Sequence, residues 1–127
     1  MARILLIEPD KQLASLYCQA LEHAGHSVDQ ALAIERAVTM LDTEKYDLLI
    51  LELQIAKHNG IELLYELRSY ADWDGVRVII QSAVPEHFMT PNQTVQRLGI
   101  DHYLYKPKTS LFDLCATAQA VLDRQFA

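Results

Sequence analysis

Arg3-Ile4-Leu5-Leu6-Ile7-Glu8-Pro9-Asp10 is the stretch from which the fold can be read. Ile4 to Ile7 are apolar on both faces of a strand, which suits a strand buried from both sides in a parallel sheet. Two acids follow at once, and then the period changes. Leu13, Leu16, Tyr17, Ala20, Leu21 and Ala24 recur at the spacing of one helix face, and Gly25 stands where that helix should stop. A buried strand feeding an amphipathic helix is the first part of a βαβ unit.

The same alternation continues along the chain. Short apolar runs recur at 27–31, 47–51, 76–80 and 101–105. Between and after them lie helical stripes: Ile34, Ala37, Val38 and Leu41; Ile61, Leu64 and Leu67; and Leu111, Leu114, Cys115, Ala118, Val121 and Leu122. Thr90-Pro91-Asn92-Gln93 reads as a helix start, with Thr90 as N-cap, Pro91 in the first turn and Gln93 completing a capping box. The fourth helix should therefore begin near Pro91, after a loop at 83–89, and end at Gly99. Ser110 and Asp113 mark a similar start for the last helix. The order βαβαβαβαβα predicts an α/β fold: a five-stranded doubly wound parallel sheet in the order 2-1-3-4-5, with helices on both faces, flavodoxin-like.

The 127 residues make one ordinary domain, expected to span 1–127. Half the residues are hydrophobic and 22% are charged, which excludes intrinsic disorder. Lys plus Arg number 11 against 17 Asp plus Glu, a net charge of −6, so phosphate neutralisation of a nucleic acid is excluded as the leading function. No apolar run is long enough to span a membrane, and the start is too soon interrupted for a signal peptide. Cys18 and Cys115 show no metal-ligand spacing and read as apolar fillers of a reduced, cytoplasmic protein. The five histidines, His23, His26, His58, His87 and His102, read as surface residues.

In a doubly wound sheet the site lies beyond the carboxyl ends of the strands. That rule selects Glu8 and Asp10 after the first strand, Glu52 after the third, Ser82 after the fourth and Lys106 after the fifth. Acids, a hydroxyl and a lysine from separate segments thus share one rim. With Gly60 eight residues after Glu52, Ser82-Ala83, and Lys106-Pro107, this combination resembles the receiver domain of two-component response regulators, over residues 3–122. The resemblance implies a phosphoacceptor at the Glu52 position, acids that hold Mg²⁺ with it, phosphoryl contacts from Ser82 and Lys106, and an aromatic switch at Tyr103. It also implies a cis bond at Lys106–Pro107. Such chemistry is physically sound, because a carboxylate nucleophile needs cations to offset charge on the transferring oxygens.

The chain departs from the family where it matters most. The acceptor position holds Glu52 instead of aspartate, and its extra methylene moves the nucleophilic oxygen by roughly 1 Å, a displacement able to cost about a hundredfold in rate. Pro9 replaces the second acid after the first strand, and Asp10 lies one step further on, placed to cap the first helix. Ala56 stands where proline is usual, and the loop after the fourth strand is longer. Tight Mg²⁺ binding is not expected, although Glu8, Asp10 and Glu52 are the metal candidates. Glu52 keeps three readings: a mimic of the phosphorylated state, a structural ion pair with Lys106, or a still-competent acceptor.

The leading expectation is a degenerate receiver, non-enzymatic, without cofactor, signalling through protein contacts. Its partner would be a histidine kinase or a downstream effector, docking on the fourth helix, fifth strand and last helix. It reads as a stand-alone module. Were it a piece of a longer regulator, an output domain would lie beyond residue 127. A still-phosphorylatable receiver is the alternative. A flavodoxin-type cofactor carrier is the rival of another class, but Glu8-Pro9-Asp10-Lys11-Gln12 is acidic and lacks the Gly, Ser or Thr of a phosphate cradle.

Overall fold

The apolar run at 3–7 divides its side chains between two cores. In a computed structural model of the protein, residues 2–55, 58–70, 73, 75–86 and 98–124 are described. Strand β1 (Arg3–Ile7) sends Leu5 and Ile7 to one face and Ile4 and Leu6 to the other. All four are fully buried, as a strand covered on both sides requires.

Four strands join β1 in one parallel sheet: β2 (Ser27–Ala31), β3 (Leu48–Leu51), β6 (Arg77–Ser82) and β7 (His102–Tyr105). Their spatial order is β2-β1-β3-β6-β7, which counted within the sheet is the expected 2-1-3-4-5. Helices α1 (Lys11–His23) and α4 (Leu111–Arg124) cover the Ile4 face, while α2 (Ile34–Thr43) and α3 (Gly60–Ser69) cover the Leu5 face. A two-residue hairpin, β4 (Gln54–Ile55) against β5 (His58–Asn59), fills the connection from β3 to α3. Trp73 lies just ahead of β6, buried, with its indole N–H donating to the Leu41 carbonyl at 3.1 Å.

Several local expectations meet the structure directly. Asp10 caps α1, its Oδ1 accepting from the backbone N–H of Gln12 and Leu13. Gly25 ends that helix at φ +102°, the left-handed region that favours glycine. Ser110 and Asp113 form a reciprocal capping box at α4: Ser110 N–H donates to Asp113 Oδ2 and Asp113 N–H to Ser110 Oγ, each at 3.0 Å. The expected Thr90 cap and the helix start at Pro91 fall outside the described residues, but the expected loop at 83–89 is corrected at Glu86, which is already helical. Leu98 is helical and Gly99 has φ +64°.

Other expectations are corrected. Leu16 is 49% exposed, and Ala14 and Cys18 are buried instead, so the buried stripe of α1 is rotated from the expected one. His26 is buried, not a surface residue: the turn after α1 folds it back, its N–H reaching the Leu21 carbonyl and its Nδ1 accepting from Ala2 N–H. Burial and the nearby N-terminal charge hold its pKa below the ordinary histidine value, against a raising side-chain hydrogen bond to Gln119. The Lys106–Pro107 bond is trans, not cis. The chain passes there into a single 3-10 turn, Lys106–Lys108, with Pro107 in its first positions, where the fixed φ of proline fits a helical start.

Candidate functional site

Parallel register brings the site residues to one edge. Ile7 pairs with Ala31 and with Leu51, Leu51 with Ile80, and Ser82 with Tyr105. Glu8 and Glu52 are each the first residue past a strand. Their backbone N–H groups still extend the ladder, to the carbonyls of Ala31 and Ile7. Both are buried, Glu8 to 2% and Glu52 to 5% exposure. Buried carboxylates need partners.

Lys106 supplies the counter-charge. Its Nζ lies 2.5 Å from Glu8 Oε1 and 2.7 Å from Glu52 Oε1. Three strand spacings of about 4.8 Å separate β1 from β7, so the contact with Glu8 needs two long arms extended toward each other. Burial alone would lower the lysine pKa; the hydrogen bonds to Glu52 and Glu8 outweigh it and hold the ammonium above its ordinary value.

The second oxygen of each glutamate is used locally, and in the same way. Glu8 Oε2 accepts from Asp10 N–H at 3.0 Å, and Glu52 Oε2 accepts from Gln54 N–H at 3.2 Å. Each acid therefore ties its own loop, two residues on, to the shared lysine. Exposed Pro9 has no N–H, which leaves the Asp10 amide as the first backbone donor after Glu8. Asp10 itself is turned to the α1 cap, away from this triad of charges.

The end of β6 closes the site on its other side. Ser82 is fully buried, and its hydroxyl oxygen accepts from Val84 N–H at 3.1 Å. The Tyr103 hydroxyl donates to the Val84 carbonyl. Val84 is thus clasped from both its backbone groups, a role that an apolar loop residue gives no sign of in the sequence. Burial raises the Tyr103 phenol pKa; a hydrogen bond with Ser82 opposes this, and the charges of Glu52 and Glu86 add to it. Ala83 N–H reaches Glu52 Oε1 at 3.4 Å, joining the β6 loop to the acceptor-position side chain.

Gly60 explains itself in the same geometry. A Cβ there would lie 3.1 Å from both the Glu52 carbonyl oxygen and Leu53 Cα. The Gly60 N–H donates to the Leu53 carbonyl at 2.7 Å, so α3 starts pressed against the backbone that carries Glu52. Arg68, in the last turn of α3, reaches the carbonyls of Val76, Leu98 and Gly99. The helical stripe of α3 carries no sign of this role, because all three carbonyls belong to segments that follow the helix.

The rim brings Glu8, Glu52, Lys106, Ser82 and Tyr103 into one hydrogen-bonded neighbourhood and leaves Asp10 outside it. The fit to Mg²⁺ is poor. The ion prefers an octahedron of oxygens at about 2.1 Å, whereas Glu8 and Glu52 already give an oxygen each to Lys106 and the other to a backbone N–H.

Comparison with known proteins bears on the fold and the family. Residues 4–117 match the response regulator receiver domain. The transcriptional regulatory protein CpxR of Klebsiella pneumoniae is 32% identical over 124 residues, 98% of this chain and 50% of that protein. The KDP operon transcriptional regulatory protein KdpE of Escherichia coli is 33% identical over 127 residues, all of this chain and 54% of that protein. Against the alginate biosynthesis transcriptional regulatory protein AlgB of Pseudomonas putida the identity is 31%, over 98% of this chain and 27% of that protein. The chain thus spans from about a quarter to about half the length of these relatives. A two-component response regulator from Clostridium difficile superimposes with a TM-score of 0.87 at 28% identity, covering both chains completely. A CheY-like receiver domain from Methanospirillum hungatei gives 0.87 at 22% identity, over 98% of this chain and 96% of that one, a likeness of fold.

Proposed function

Because the chain belongs to the response regulator receiver family, we propose that it is a single receiver-like signalling domain, residues 1–127, that works through protein contacts without phosphorylation at Glu52. The observation that carries this reading is the engagement of Glu52: Oε1 is bound to Lys106 and Oε2 to its own loop, while Pro9 stands where a second metal-binding acid would be. A nucleophile so held is short of both free reach and a divalent cation. Its partners are proteins, a histidine kinase or a downstream effector, meeting the surface of strand β7, helix α4 and the segment before Leu98. In this reading the domain is not an enzyme, binds no nucleic acid itself and works in the cytoplasm. Among the described residues, no helix is long and apolar enough to cross a membrane.

The test is the intact mass after treatment with acetyl phosphate and Mg²⁺. The expected result is no Mg²⁺-dependent adduct. An adduct that maps to Glu52 overturns the proposal and restores a phosphorylatable receiver. Within the phosphorylation-independent reading, one observation favours Glu52 as a mimic of the phosphorylated state: its Oε1 meets both Lys106 and the Ala83 amide beside Ser82. Glu52→Gln then weakens partner binding; if only thermal stability changes, the glutamate is a structural ion-pair partner.

A further inference from the structure

We propose that the Lys106 ammonium is the resident cation of this rim, a covalently tethered substitute that makes the pocket independent of divalent ions. The proposal rests on the reading of the site given above and specifies how its charge is balanced. Of the six carboxylate oxygens on Glu8, Asp10 and Glu52, five already accept: Glu8 Oε1 and Glu52 Oε1 from Lys106, Glu8 Oε2 from Asp10 N–H, Glu52 Oε2 from Gln54 N–H, and Asp10 Oδ1 from the start of α1. The lysine side chain is only 15% exposed, and the two glutamates are 3% and 5% exposed. A small hard ion entering between them would compete with the ammonium and with the two loop hydrogen bonds for the same carboxylate oxygens. It would also sit within a few ångströms of another positive charge that cannot diffuse away. Pro9 contributes no ligand to offset that loss.

Two features distinguish this from an ordinary salt bridge at a strand end. One ammonium is shared by two acids that arrive from different strands, and each acid spends its remaining oxygen on the N–H two residues further along its own chain. The rim is therefore closed as a unit. The lysine between them offsets the repulsion of the two acids, and neither turns to solvent to find a cation.

The proposal makes opposite predictions for the chain and for one variant. The probe is Mn²⁺, followed by electron paramagnetic resonance in the absence of any phosphodonor. The unaltered protein should show no binding in the low millimolar range, and the amide resonances of Asp10, Gln54 and Ala83 should not shift with Mg²⁺. Lys106→Met leaves the two glutamates facing each other without a counter-charge. It should bind Mn²⁺ at least tenfold more tightly than the unaltered chain, and adding Glu52→Gln should abolish that gain. Should Lys106→Met fail to fold alone, its recovery of native circular dichroism on addition of Mn²⁺ or Mg²⁺ is the expected outcome.

Submillimolar Mn²⁺ binding by the unaltered protein, with shifts of the Asp10 and Gln54 amides, overturns the proposal. So does a Lys106→Met variant that folds and gains no affinity, or one that no divalent ion restores. These outcomes are separate from the phosphorylation test. An adduct on Glu52 would defeat the signalling reading, whereas cation binding without a phosphodonor defeats the resident lysine.

Discussion

A glutamate has one methylene more than an aspartate, and at position 52 that length is put to use. It lets one carboxylate oxygen fold back to the Gln54 amide while the other reaches Lys106. Shortening the arm alone should not create a phosphoacceptor, because Pro9 still offers no ligand and Lys106 still neutralises Glu8. Glu52→Asp should therefore remain poorly phosphorylated by acetyl phosphate with Mg²⁺. Pro9→Asp combined with Glu52→Asp should exceed either single change in metal affinity and in phosphorylation rate, by about tenfold or more, part of the hundredfold that misplacement on this scale costs. Intact mass over time measures it. Gln81 tests the same rim from within the sheet. It is 3% exposed, and its amide oxygen has no hydrogen-bond partner among the described residues. A buried unsatisfied acceptor costs about 1–3 kcal/mol, so Gln81→Met should stabilise the protein by about 1 kcal/mol, read as a higher urea midpoint at unchanged slope.

Elements fix where these residues stand, and two junctions carry most of that control. At the first, α3 begins against the backbone of Glu52 and Leu53. Gly60→Ala puts a methyl 3.1 Å from two backbone atoms that cannot swing aside. The expected loss is about 2 kcal/mol, within the range of overpacked sites, seen as a lower denaturation midpoint. At the second, His26 seats the start of β2 beside the N-terminal residues. Its folded pKa is lowered by burial, so its contribution to stability is present above about pH 6.5, the unfolded value, and is lost as pH falls through the folded value. Urea midpoints at pH 7.5 and pH 5 should differ more for the unaltered chain than for His26→Gln. Strands β1, β3 and β6 were legible because their apolar runs are continuous, whereas β2, Ser27-Val28-Asp29-Gln30-Ala31, carries only a weak run and was legible from the alternation around it. Their ends were less so: β6 runs on through Gln81 and Ser82 because the ladder to Leu104 and Tyr105 continues after hydrophobicity stops. Two-residue strands such as β4 and β5 are too short to leave a period. At the rim, residue types and strand ends announced Glu8, Glu52, Ser82 and Lys106, and the family resemblance added Tyr103, whereas the clasp on Val84 depends on backbone groups that every residue has.

On the scale of the whole molecule, the charged rim lies beyond the carboxyl ends of the strands, and the single tryptophan lies at the other end, just ahead of β6. Trp73 is bonded to the α2 carbonyl of Leu41 and sits 4.9 Å from the Tyr70 ring, between centroids. Its indole loses these surroundings only when the packing of α2 and the start of β6 comes apart. Intrinsic emission is thus a built-in optical gauge of cooperative unfolding, insensitive to chemistry at the opposite pole. Substitutions at Glu52, Pro9 or Lys106 should leave the native emission maximum where it is, while denaturant moves it to the red in every variant. One label-free signal, native to the chain, can then rank the stabilities of rim variants on a common baseline.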